Sequence, residues 1–176
     1  LILMPASERD FRLVFPLLEY LKEQRKNIVV MTYDFRISLL QPYFKTNAIE
    51  HGLKDVTAFD LPSKSLLNKL SNMRFDVLID TNRDEVIYYS YVAKSLNIQV
   101  KIGFVRTDSD KYFNFQVENK QNDPEISYKN LLDCLKIDLR LLSPQKTKHY
   151  RPQKVGSFWL IAWADMRTCK YKIKSS

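Results

Sequence analysis

Along the first 103 residues the hydrophobic positions switch repeatedly between two periods. Short continuous apolar runs alternate with stretches in which apolar residues recur at helical spacing. Leu1–Met4 is the first run, as expected of a strand buried on both faces. Apolar positions 11, 14, 15, 18 and 21 then predict a helix that ends in the basic cluster Lys22 to Lys26. Pro16 constrains that helix, because proline is tolerated only in a first turn. Either the helix begins near Val14, or it begins at Asp10 and bends.

The alternation continues. Asn27–Thr32 predicts a second strand, Ile37–Phe44 a short helix with Leu39 and Leu40 inward, and Asp55–Phe59 a weaker third strand. Pro62 suits an early helical position, with Leu66, Leu67, Leu70 and Met73 as the buried stripe. Phe75–Asp80 is the clearest strand. The polar loop Thr81-Asn82-Arg83-Asp84 follows it, with Asp84 the expected N-cap of a helix carrying Val86, Tyr89, Ala93 and Leu96. Val100–Phe104 is a fifth strand, and Tyr112–Val117 an extended segment. Asp123-Pro124-Glu125 then opens a helix with Tyr128, Leu131, Leu132 and Leu135 on one face. Such alternation predicts an α/β domain: a parallel, doubly wound sheet with right-handed crossovers and helices on both faces.

At 176 residues the chain accommodates one domain with a sizeable core. We expect that domain over 1–142. Residues 143–176 differ in kind, holding both tryptophans and no clean amphipathic period, although Phe158–Trp163 reads as one strand. They read as a linker with the start of a following domain, as an aberrant C-terminus, or as a basic interfacial anchor.

Charge sharpens this division. The net charge is +8, yet from Ser143 onward there are eight Lys or Arg against one acid, Asp165. The first 142 residues are therefore nearly neutral, which argues against a nucleic-acid-binding face. No apolar run is long enough to span a bilayer, and Leu1–Met4 is too short for a signal peptide, so the expected compartment is the cytoplasm. The absence of an initiator Met suggests a trimmed start. Cys134 and Cys169 form no framework and, with only His51 and His149 as histidines, no metal set; two reduced thiols are expected.

With glycine only at 52, 103 and 156, neither a dinucleotide fingerprint nor a phosphate loop can be written. The chemistry left is at the strand ends, where α/β folds place ligands. Ser7-Glu8-Arg9-Asp10 and Thr81-Asn82-Arg83 converge there if strands one and four are neighbours. They offer carboxylates, two guanidinium forks and hydroxyl or amide groups, suited to a polyhydroxylated or anionic ligand. Against this stands the plainer reading, in which Asp10 caps the first helix and the arginines are solvated.

The opening LILMPASERD with Pro16 six residues beyond Asp10, the FDVLID strand, KIGF, and the late ISYKNLLDCLKI resemble the ADP-heptose–lipopolysaccharide heptosyltransferases, glycosyltransferase family 9, over about residues 1–137. The resemblance implies the acceptor-side, Rossmann-like N-terminal domain of a two-domain GT-B enzyme. Asp10 would be the general base of an inverting transfer, with Ser7, Arg9, Asn82 and Arg83 around the acceptor. The implied reaction moves a heptose-like sugar from a nucleotide sugar, such as an ADP-heptose, to lipopolysaccharide core or a related surface glycan. The donor would be bound by a second domain that this chain lacks, so the chain alone would not catalyse transfer. No metal is implied, and no cofactor besides that donor. The implied partners are a glycan or lipid-linked sugar acceptor, with peripheral contact at the inner face of the cytoplasmic membrane. Two departures stand out: Arg9 occupies the family's usual glycine position, and Asn82 and Arg83 are bulkier than the small residues usual there. A catalytically silent binding or interaction module, with Asp10 only a cap, is the alternative.

Overall fold

A computed structural model describes residues 1–120 and 122–138, together with the backbone of 153–155, 158–160 and 171–173. Six strands form a parallel sheet: β1 (Ile2–Leu3), β2 (Val30–Tyr33), β3 (Ala48–His51), β4 (Val77–Asp80), β5 (Val100–Phe104) and β6 (Phe115–Val117). Their order is β3-β2-β1-β4-β5-β6, the doubly wound arrangement. β1 is central, with Leu3 paired to Met31 on one side and to Asp80 on the other.

Side-chain alternation divides the core into two layers. On one face Ile2, Ile79 and Ile102 pack against α1 (Glu8–Leu13), α2 (Phe15–Glu23) and α6 (Pro124–Asp138) through Phe11, Leu18 and Leu131. On the other, Leu3, Met31 and Leu78 pack against α4 (Lys64–Ser71) and α5 (Ile87–Ser95) through Leu66, Leu70, Tyr89 and Val92. A short α3 (Pro42–Lys45) sits between β2 and β3. Each fully buried apolar side chain contributes about 1.5–3 kcal/mol.

Several boundaries differ from expectation for local reasons. The first helical stretch is two helices. α1 starts at Glu8, capped by Ser7, and breaks at Val14, which lets Pro16 occupy the first turn of α2. Asp10 is therefore a helical residue. The third strand is Ala48–His51, not Asp55–Phe59; Leu53–Asp55 is a 3-10 turn, and Val56 makes only an isolated bridge to Pro62. Leu53 and Phe59 are correspondingly exposed. Pro62 precedes α4, whose cap is Ser63, accepting from the amide of Leu66. Asp34–Leu39 is a 3-10 helix that buries Leu40 and leaves Leu39 outside. α5 begins only at Ile87, after Val86, so Asp84 does not cap it. Asp123 caps α6 as expected, accepting from the amide of Ile126 at 3.2 Å.

Gly103 has no room for a side chain: a Cβ there would meet the Phe113 ring at 2.9 Å. Beyond α6, β7 (Gln153–Val155) and β8 (Phe158–Leu160) form a hairpin, and β9 (Tyr171–Ile173) runs antiparallel beside β6. β8 covers Phe158–Leu160 of the strand expected over Phe158–Trp163, and residues 161–163 lie outside the described residues. Cys134 is buried and is not a free thiol but disulfide-bonded, against expectation. Cys169 lies outside the described residues. Among the described residues no helix is long and apolar enough to cross a membrane.

Candidate functional site at the carboxyl edge of the sheet

The pairing of Leu3 with Asp80 brings the loops after β1 and β4 together, so the two polar segments do converge. Thr81 ties them first. Its amide donates to the Leu3 carbonyl at 3.1 Å and its hydroxyl donates to the same oxygen at 2.7 Å. Asn82 ties them again: its Oδ1 accepts from the Ala6 amide at 2.8 Å, while its Nδ2 donates to Asp80 Oδ1 at 2.7 Å. Asn82 is 3% exposed, so its amide serves the scaffold and is not presented to solvent.

Asp10 is the decisive residue. Its side chain does not cap α1; the Ser7 hydroxyl does, accepting from the Asp10 amide at 3.4 Å. The Asp10 carboxylate instead receives a guanidinium fork, with Arg83 Nε at 2.8 Å from Oδ2 and Nη2 at 3.4 Å from Oδ1. Both members are shielded, at 4% and 10% side-chain exposure, so the pair is buried. Burial works against the charge of Arg83, but the bond and charge of Asp10 outweigh it and raise the guanidinium pKa. Tyr128 on α6 closes the niche from below and donates to the Thr81 carbonyl at 2.8 Å. Burial, reinforced by the nearby Asp10 charge, keeps that phenol protonated.

A second buried pair lies alongside. Arg106, just past β5, donates to Asp80 Oδ2 at 2.9 Å and to the carbonyls of Asn82 and Asp84 at 3.0 and 2.7 Å. Its guanidinium lies 5.2 Å from the Phe113 ring centroid. Arg36 donates to the Pro5 carbonyl at 3.1 Å, and Asn119 to that of Arg83 at 2.9 Å. The strand-end edge is thereby cross-linked from β2 round to β6.

Of the five residues expected at the site, Asp10, Asn82 and Arg83 come together. Ser7 stands at the rim as a cap, and Arg9 points away, exposed on α1. The second guanidinium of the edge is Arg106 in place of Arg9. Asp80 and Arg106 join the edge without being among the expected residues. Their only sequence signals were a carboxylate closing an otherwise apolar strand and an arginine directly beyond the fifth strand. A shallow recess of about 360 Å³ is lined by Asn119, Lys120, Asn122, Asp123 and Ile126, and by none of the five expected residues. Among the described residues no group of three His, Cys, Asp or Glu is placed to hold a metal ion.

No curated protein and no solved structure matches the chain. Residues 1–137 do match a family described as one of unknown function, DUF6913, and that match spans all six parallel strands and almost all of α6. The chain belongs to that family.

Proposed function

We propose that this domain is a catalytically silent Rossmann-like binding or interaction module, built on the plan of the acceptor-side half of a GT-B glycosyltransferase. One observation carries the reading: both Asp10 oxygens are held by Arg83 in a buried pair. A general base must reach the acceptor hydroxyl and accept its proton readily. A guanidinium across both oxygens engages the carboxylate that an acceptor hydroxyl would have to reach, which opposes the first requirement. The pair instead joins α1 to the loop after β4. Joined to a nucleotide-binding half and incubated with ADP-heptose and a lipopolysaccharide-core acceptor, the domain tests this by release of ADP. The expected result is no release above buffer. Release that Asp10→Asn abolishes, with melting unchanged, would overturn it.

A second reading is favoured by the finding that Asp10 has no capping duty and stands beside the point where strand order reverses, between β1 and β4. On that reading the domain is the acceptor half of an inverting transferase. It would work in the cytoplasm at the inner membrane face, with the nucleotide sugar bound by a donor domain elsewhere. Acceptor binding would draw Arg83 off Asp10. A nucleotide-binding half encoded beside this one, and loss of transfer in Asp10→Asn of the joined protein, are the results it requires.

A further inference from the structure

His51 ends β3, the edge strand of the sheet, and its side chain is 1% exposed. The ring lies between two tyrosines, stacked on Tyr88 at 4.7 Å and tilted against Tyr33 at 4.5 Å. Nε2 shares a 2.8 Å hydrogen bond with the Tyr89 hydroxyl. Nδ1 is buried and, among the described residues, has no hydrogen-bond partner. Whichever tautomer is present, one polar ring atom is therefore unmatched, and the ring tolerates this only while neutral.

The groups around it are well defined. Tyr33, Asp34 and Arg36 come from the end of β2 and the turn after it, Asp55 from the turn after β3, and Tyr88 and Tyr89 from α5. Asp80, at the end of β4, acts on Tyr89 from beneath. Glu50, on His51's own strand, is exposed. Two carboxylates stand at the margin of the niche. Asp34 presses against Gly52, and Asp55 accepts from the Gly52 amide at 3.1 Å. Neither is bonded to the ring.

We propose that β3 and the turns flanking it, residues 48–56, form an acid-operated flap whose trigger is His51. At neutral pH the uncharged ring is clamped between Tyr33 and Tyr88, and β3 stays paired to β2. On protonation Nδ1 carries a hydrogen for which the niche holds no acceptor, while Asp34 and Asp55 offer carboxylates a short turn outward. The ring leaves the aromatic clamp for them. Among the described residues β3 pairs with β2 alone, so it can detach without disturbing the remaining five parallel strands. Burial lowers the His51 pKa to about 4 against the pull of Asp55 and Asp34, so the drive to open builds as pH falls from about 6.5 toward 4.

The test is amide hydrogen exchange on the full chain from pH 7 to 4, corrected for intrinsic rates, alongside a ring-proton NMR titration. His149→Gln separates the two histidine signals. Amides 48–56 should exchange at least tenfold faster at pH 4 than at pH 7, with the opening midpoint on the His51 titration and with α6 unchanged. His51→Phe, which keeps the stack but cannot titrate, should abolish the acid opening; His51→Gln serves if that variant does not fold. Opening that persists in the non-titrating variant, acceleration that spreads to α6, or a ring that titrates without local opening would each overturn the proposal. If neither variant folds, the match or mismatch of the two midpoints in the unsubstituted chain decides.

Discussion

Asp10 and Arg83 form a pair in which each residue makes the other tolerable in a buried position. Breaking such a pair leaves one charge uncompensated, at a cost of about 3–5 kcal/mol. Asp10→Ala and Arg83→Ala should each lose roughly that much in denaturant unfolding. The joint replacement by Leu and Met should lose much less than the sum, since no buried charge then remains. Additive losses would show that the fork holds nothing together. The same logic applies to Arg106→Ala, which strands Asp80, a fully buried carboxylate, and should be at least as damaging. Glu8 and Arg9, exposed on the same short helix, should tolerate alanine within about 0.5 kcal/mol.

At the scale of elements, two aspartates that look alike in sequence behave differently. Asp123 caps α6 and Asp84 caps nothing, so Asp123→Ala should cost about 1 kcal/mol by thermal or chemical denaturation and Asp84→Ala under about 0.5. What sequence reveals is unequal for the same reason. β5 was legible to the residue because VKIGF is an apolar run bounded by polar turns, and α6 because Asp-Pro-Glu is an unambiguous start. β3 was not, since Ala48–His51 places a glutamate and a histidine in a four-residue edge strand, and its burial comes from Tyr88 and Tyr89 some 40 positions on. The convergence of the two polar loops followed from strand order. The closing of that edge did not, because which arginine reaches Asp10 depends on side-chain direction across 73 residues of separation. Arg9 is the nearest arginine along the chain, but on α1 it is exposed.

For the molecule as a whole, acid should act on two buried bases, the Leu1 amine, which burial lowers to about 5, and His51. In the unfolded chain His51 binds a proton near its ordinary pKa of 6.5, and in the folded chain only near 4. Between those values the unfolded state holds more protons, so stability must fall as pH drops from about 6.5 and level off below about 4. At roughly 1.4 kcal/mol per unit, the His51 share of the loss reaches about 3 kcal/mol. Urea midpoints measured from pH 7 to 4 should trace a decline, and His51→Phe should remove the His51 share of it, leaving the share of the Leu1 amine above about pH 5.

The central place of β1 has a consequence for how the chain assembles. Two residues near the start must be clasped on both sides, by Val30 and Met31 and by Ile79 and Asp80. The second clasp closes a loop of 77 residues, so its chain entropy must be lost before any contact repays it. A nascent chain that has emerged only as far as α4 holds a first strand with half a socket. Its Leu1–Met4 segment keeps one apolar edge unpaired until FDVLID arrives. The committed step of folding is then the docking of β4, and substitutions at Leu78 or Ile79 should slow folding more than equally destabilising ones in β6.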